Sequence, residues 1–300
     1  MVLTQLDDLL KLNKGLSPKK IAVAAAEDEH VLKSLKLAIE KKLIIPVLVG
    51  EKTKIKKIAS AIGLDISTFE IHEEASPKEA ALTAVRIIHS GEADILMKGM
   101  VTTAHLLKAV LNKDFGLKLS TTLSHLAIFE LHHYHKLLGI SDAAMNIAPS
   151  KEEKVAIVNN AVSIFNGLGY TLPKVAALAP LEIVNPKIES TTDAALLSAM
   201  NRKGQIKNCL LEGPYALDIA VSKEAAGHKK IDHPVAGDAD ILITPDLNSG
   251  NILYKSLAFL GGGVSASIIA GARVPIVLTS RSDSEMSKLY SIALASALNR

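Results

Sequence analysis

The sequence predicts an α/β protein, with short buried strands running parallel in their sheets, helices covering them, and the chain divided between two domains. Apolar runs alternate with helical patterns along residues 21–90, as strand–helix–strand units do. A heptapeptide recurs: Gly-Glu-Ala-Asp-Ile-Leu-Met at 91–97 and Gly-Asp-Ala-Asp-Ile-Leu-Ile at 237–243, each leading into a polar loop and a helix. Such helix-to-strand corners either converge independently or mark two similar α/β domains that face one another. Lastly, the apolar runs 241–243 and 275–278 both end in polar loops that open helices. Open α/β sheets bind ligands beyond the carboxyl ends of their strands, and helix N-termini attract phosphate.

Residues 3–14 carry Leu3, Leu6, Leu9 and Leu10 at helical spacing, and Gly15 ends them. A strand at 21–26 leads into a helix to about 42, then a strand at 44–49, a basic helix at 52–62 and a third strand at 66–71. Ser76, Pro77 and Glu79 form a helix start, with Ser as cap and Pro in the first turn. Residues 123–131 and 136–145 read as an antiparallel hairpin turning at His132-His133-Tyr134-His135. Three histidines in a tight turn splay apart, so a solvated turn is weighed against a metal site. The break at 148–150 marks a domain boundary. Ser150 caps a helix to about 168. A strand at 174–179, a helix at 193–200, a strand at 208–212, a helix at 218–226 and a last helix at 284–298 complete the chain.

Composition narrows the function. Hydrophobic residues make up 48% of the 300, enough for a large core, whereas aromatics are 3% with no Trp, which disfavours stacking on single-stranded nucleic acid. A net charge of +3 is too balanced for a nucleic-acid binder and compatible with an anionic ligand. Cys209 is the single cysteine and sits in an apolar run, so core packing outweighs a nucleophilic role. The N-terminus lacks a signal-peptide pattern, and no apolar run approaches the ~20 residues of a membrane span. A soluble cytoplasmic protein is expected.

The polar loops supply the candidate site. Lys98, Thr102 and Thr103 lie at a strand-to-helix turn, with Lys108 further along that helix. They can hold a phosphate, or Thr102 is a plain cap and Lys108 a solvated lysine. The spacings of a P-loop and of a dinucleotide-binding turn are both missing. Ser280-Arg281 follows the 275–278 run. Arginine binds phosphate through two parallel hydrogen bonds, and a serine hydroxyl can donate to a developing oxyanion. Asp283 is a base or a helix cap. Asp246 opens another helix, on which Asn251, Tyr254 and Lys255 share a face.

The segments ADILMKGMVTTAHLLKAVL, LSHLAIFEL, ISDAAMNIAP, EGPYALDIAVS, PVAGDADILITPDLNSGNILYKSLAF and GARVPIVLTSRSDS resemble the phosphate acetyltransferase and phosphate butyryltransferase family, and the butyryltransferase branch most. The resemblance covers residues from about 90 to the C-terminus. It implies two three-layer α/β/α domains of the isocitrate/isopropylmalate dehydrogenase type, residues 1–147 plus 279–300 and residues 148–278, with the active site in the cleft between them. It implies reversible acyl transfer from butyryl-CoA to inorganic phosphate in a ternary complex, without metal or organic cofactor. Coenzyme A is then substrate and product, and the enzyme is a homodimer or higher homo-oligomer. Ser280 and Arg281 take the catalytic and phosphate-binding roles, and Ser124 and Asn146 join the phosphate and CoA contacts. Three positions depart from the family. Ser287 stands where a proposed aspartate base would be, which leaves Asp283 as a substitute. Lys108 stands near an anion-binding arginine, and Glu212-Gly213-Pro214 replaces Asp-Gly-Pro. A metal- and NAD-dependent dehydrogenase and a non-catalytic CoA- or phosphate-binding module are the competing readings.

Overall fold

A computed structural model describes residues 3–279 and 283–298. The chain forms two compact units, one of residues 7–119 with the segment from 266 onward, the other of residues 120–265 with those before Asp7. We call them the flanking and the central unit, after their places in the sequence.

The flanking unit begins with α1 (Asp7–Leu12), β1 (Lys19–Ala24), α2 (Glu29–Glu40), β2 (Ile44–Gly50), α3 (Lys52–Ala61), β3 (Glu70–Glu73), α4 (Pro77–His89), β4 (Ile95–Lys98) and α5 (Thr103–Val110). The expected alternation holds, because Ile21, Val23, Leu48, Val49, Ile95 and Leu96 lose all solvent contact, as strands covered on both faces must. The third strand starts four residues later than expected. Ser67 N–H donates to the Asp65 carboxylate at 2.9 Å and Phe69 N–H to the Ile66 carbonyl, and these turns occupy the start of the predicted run.

The central unit contains β5 (Ser124–Glu130), β6 (Leu138–Ser141), α6 (Lys151–Gly167), β7 (Lys174–Leu178), α7 (Glu189–Arg202), β8 (Leu210–Tyr215), α8 (Leu217–Val221), α9 (Lys223–His228), β9 (Ile241–Ile243) and α10 (Leu247–Lys255), which continues as a π-helical turn at Ser256–Leu260. The expected hairpin is present: β5 and β6 are antiparallel, with Ala127 opposite Ile140. At α6, Ser150 Oγ accepts the Glu153 N–H while Glu153 accepts the Ser150 N–H, a complete capping box. β10 (Val264–Ala270), β11 (Ile276–Val277) and α11 (Glu285–Leu298) close the chain.

In the flanking unit the strand order is β3-β2-β1-β4-β11-β10, parallel apart from the β10–β11 pair. Helix α4 packs on β1, β2, β4 and α5, whereas α2 packs on β2, α3 and α11, so helices sandwich the sheet. In the central unit the order is β5-β6-β9-β7-β8, parallel after the hairpin. Phe129, Ile140, Tyr215, Ile219 and Leu242 form the core there. The boundaries expected at 148 and 279 therefore move to 120 and 266. Strand β6 pairs in parallel with β9, which ties the hairpin to the central unit, and β11 pairs with β4, which draws the last strands into the flanking unit. Such long-range pairings leave no mark in local sequence.

Candidate active site

The carboxyl ends of β1, β4 and β11 meet in the flanking unit. Gly99 N–H donates to the Ala24 carbonyl at 2.9 Å and Met100 N–H to the Ala25 carbonyl at 2.7 Å, so the chain leaving β4 lies flat against the chain leaving β1. Ala25 holds a positive φ of 56°. Only glycine fits at 99, since a Cβ there would sit 2.0 Å from the Ala25 carbonyl oxygen. Two helices start beside these strand ends. Asp28 caps α2 by accepting the Val31 N–H at 2.8 Å, and Thr102 caps α5 by accepting the His105 N–H at 3.2 Å.

A cavity of about 310 Å³ opens there, lined by Asp28, His30, Lys98, Gly99, Thr279 and Lys288, with Val31 and Met100. Lys98 is half-buried and its ammonium donates to the Gly99 carbonyl at 3.3 Å. Lys288 is 3% exposed and donates to the Asp283 carbonyl at 2.5 Å. Burial pushes its pKa below the ordinary lysine value, although Asp283, Asp28 and Glu285 pull the other way. Ser280 and Arg281 lie outside the described residues. Their neighbours Thr279 and Asp283 are described, and Thr279 is a cavity wall.

Several expected site residues are thereby located. Thr103 is the first residue of α5, behind its cap Thr102, and Lys108 is exposed in the same helix. At the start of α11 the Ser284 hydroxyl accepts the Ser287 N–H at 3.0 Å. The remaining candidates belong to the central unit, around the carboxyl ends of β6 and β9. Asp142 accepts the N–H groups of Ala144, Met145 and Asn146. Asn146 donates to the Leu123 carbonyl at 2.9 Å and to the Asp142 carboxylate. Asn251 donates to the Ala143 carbonyl at 3.1 Å, and Asp246 caps α10 by accepting the Ser249 N–H. Gly250 permits this close approach, since a Cβ would meet the Asp142 carbonyl oxygen at 2.1 Å. Asn146, Asp246 and Asn251 thus build one loop cluster through partners inside the chain. Ser124 is fully buried and accepts from Asn160 at 3.0 Å. The Tyr254 ring packs edge-on against Phe129 and His125, and Lys255 is exposed.

A second ionic cluster sits at the opposite, amino ends of the central strands. Lys136 reaches Asp240 at 2.6 Å and Asp238 at 3.0 Å; Lys174 and His135 also bind Asp238. Burial would raise the Asp238 pKa, but the hydrogen bonds from Lys174, Lys136 and His135 outweigh it and hold the carboxyl well below its ordinary value. This cluster is structural in position, away from the carboxyl edge. Among the described residues no three His, Cys, Asp or Glu side chains are grouped to hold a metal ion. Of the turn histidines, His132 and His133 stack edge to face while His135 faces Asp238. Cys209 is buried, and its thiol is pushed up to about 11 by burial, which favours core packing over nucleophilic use.

Comparison with known proteins gives one family. The profile described as phosphate acetyl/butaryl transferase matches residues 6–81 and 72–296. The chain is 45% identical to a phosphate butyryltransferase of Clostridium beijerinckii over 289 residues, covering 96% of each protein. It is 44% identical to a phosphate acetyltransferase of Thermotoga maritima over 290 residues, covering 97% of this chain and 98% of that one. Among solved structures, a branched-chain phosphotransacylase from Enterococcus faecalis V583 superposes with a TM-score of 0.82 at 33% identity, covering 94% of this chain and 99% of the other.

Proposed function

This chain belongs to the phosphate acetyl/butyryl transferase family, and from that premise we propose that it converts butyryl-CoA and inorganic phosphate to butyryl phosphate and free coenzyme A. The acyltransferase class is that of its relatives; the acyl group and the route are our reading. The observation that carries it is the cavity at the carboxyl ends of β1, β4 and β11. Lys98 and Lys288 line it, and Thr279, which precedes Ser280-Arg281, forms part of its wall.

The reaction runs by direct transfer in a ternary complex. A phosphate oxygen attacks the thioester carbonyl carbon, the carbon–sulfur bond breaks, and the thiolate leaves with the electron pair. Holding the two substrates in register supplies ~7–11 kcal/mol of the barrier reduction. Arg281 grips the phosphate through its planar fork, and the Ser280 hydroxyl donates to the carbonyl oxygen as it becomes negative. Lys98, Thr102, Thr103 and Lys108 add positive charge and donors for the substrates' phosphates. In the reverse direction Asp283 takes the thiol proton. In the central unit, Asn146, Asp246 and Asn251 set the loop against which coenzyme A lies, with Ser124 and Tyr254 behind it and Lys255 meeting a phosphate from solvent. Neither metal nor organic cofactor takes part. The enzyme is a homodimer or larger, in keeping with the exposure of Ile252, Phe259 and Leu260 on and after α10. It acts in the cytoplasm, where coenzyme A thioesters are made.

Measuring phosphate-dependent thiol release with acetyl-, propionyl-, butyryl- and isobutyryl-CoA tests this. The highest kcat/KM is expected with butyryl-CoA, and one methylene is worth ~1–3 kcal/mol. The Thermotoga maritima relative favours a second reading, phosphate acetyltransferase, which an acetyl-CoA optimum would establish. No release from any of the four would sink both.

A further inference from the structure

Lys288 stands in the fourth position of α11, where sequence alone suggests a solvated lysine. Lysine is seldom fully buried unless paired, yet this one is 3% exposed. Its ammonium donates to a neutral main-chain carbonyl, that of Asp283. Of the carboxylates that act on it, those of Asp283, Asp28 and Glu285, Asp28 also accepts the Val31 N–H within α2, and Glu285 lies 3.6 Å from Lys33 and 3.9 Å from His30. Lys98 shares the cavity with Lys288 and adds a second positive charge. Two lysines thus line one cavity whose wall carries a single carboxylate, Asp28, and an entering anion offsets the cost of burying Lys288.

We propose that Lys288 contacts the reacting phosphate, supplying from the first turns of α11 a cation that faces it across from Lys98. This rests on the acyltransferase reading. Neutralising a phosphate with two lysines matches the charge that moves between phosphate and thiolate during transfer. The ligand chemistry, a phosphate oxyanion, is shared by inorganic phosphate and by the phosphates of coenzyme A, so the test separates them.

Steady-state kinetics of Lys288→Met and Lys288→Arg, varying inorganic phosphate and butyryl-CoA in turn, make that test. Lys288→Met is expected to raise the phosphate KM at least tenfold and the butyryl-CoA KM less than twofold. Lys288→Arg is expected to recover most of the loss. An unchanged phosphate KM, or a rise confined to butyryl-CoA, overturns the proposal. Should the methionine variant fail to fold, wild-type protein labelled with ¹³C at the lysine ε-carbons serves instead. The Lys288 resonance, identified from its absence in Lys288→Arg, is expected to move on adding inorganic phosphate and to stay put in chloride of equal ionic strength; no movement overturns the assignment. Wild-type protein without phosphate-dependent thiol release would remove the acyltransferase reading, whereas wild-type turnover with an unmoved phosphate KM in Lys288→Met removes the Lys288 contact alone.

Discussion

Replacing Gly99 with alanine tests whether the strand ends under the cavity are set by backbone contact. The added Cβ would sit 2.0 Å from the Ala25 carbonyl oxygen, 2.7 Å from the Ala24 carbonyl oxygen and 2.8 Å from the Ala25 carbonyl carbon, against an ordinary contact of 3.4 Å or more. All three are main-chain atoms, so no side chain can swing aside. The end of β4 must move by about 1 Å or more relative to β1, with strain of ~1–3 kcal/mol. It also weakens the Gly99–Ala24 and Met100–Ala25 hydrogen bonds, each worth ~0.5–1.5 kcal/mol. A destabilisation of roughly 2–4 kcal/mol follows. Function should suffer further, because Lys98 precedes the displaced residue and a 1 Å misplacement can cost ~100-fold in rate. Urea unfolding and kinetics with varied phosphate read both effects. Gly99→Ala with a wild-type unfolding midpoint and wild-type phosphate KM would refute the reasoning.

Gly227 in α9 is the matching control: a methyl group added there would meet nothing within 4 Å, so Gly227→Ala should stabilise by ~0.5–1 kcal/mol, read as a higher unfolding midpoint with unchanged kinetics. Arg281→Ala is expected to raise the phosphate KM and lower kcat by ~100-fold or more with far-UV circular dichroism unchanged; near-normal kinetics would remove Arg281 from the site. Asp238→Asn should cost about 2–3 kcal/mol at neutral pH, because the buried Lys136 loses one of its two carboxylate partners. The carboxyl's folded pKa is depressed, so its contribution is present above the unfolded value of ~3.9 and fades as pH falls below it. Urea midpoints of the two proteins should therefore converge in acid; a gap unchanged at pH ~3 would contradict this.

What the sequence discloses is what local chemistry encodes. Continuous apolar runs such as Ile21 to Ala24 announce the buried strands, and Ser150 with Glu153 announces the start of α6. Thr102 is legible as a cap and Asp246 likewise. Strand β10 escapes notice, because its buried Ser265 and Ser267 follow a glycine triplet and interrupt the apolar pattern. Lys288 escapes notice because a lysine near a helix start looks solvated, whereas α11 packs on α1, α2 and β11 and the lysine is buried. The Lys136–Asp238–Asp240–Lys174 network joins residues separated by up to 104 positions in the chain, for instance Lys136 with Asp240, and no short-range pattern reveals such a meeting. Ser280 and Arg281, singled out from their place after an apolar run and from family resemblance, remain functional proposals.

The pairing of β11 with β4, Ile276 beside Leu96 and Val277 beside Met97, has a bearing on biogenesis. More than half of the chain is synthesised between these partners. A nascent polypeptide can complete the central unit while the flanking sheet still lacks its seam, and loop closure of that length slows the last step. Thr279 and Lys288 therefore join Lys98 in the wall of the cavity only after the whole central unit has been synthesised.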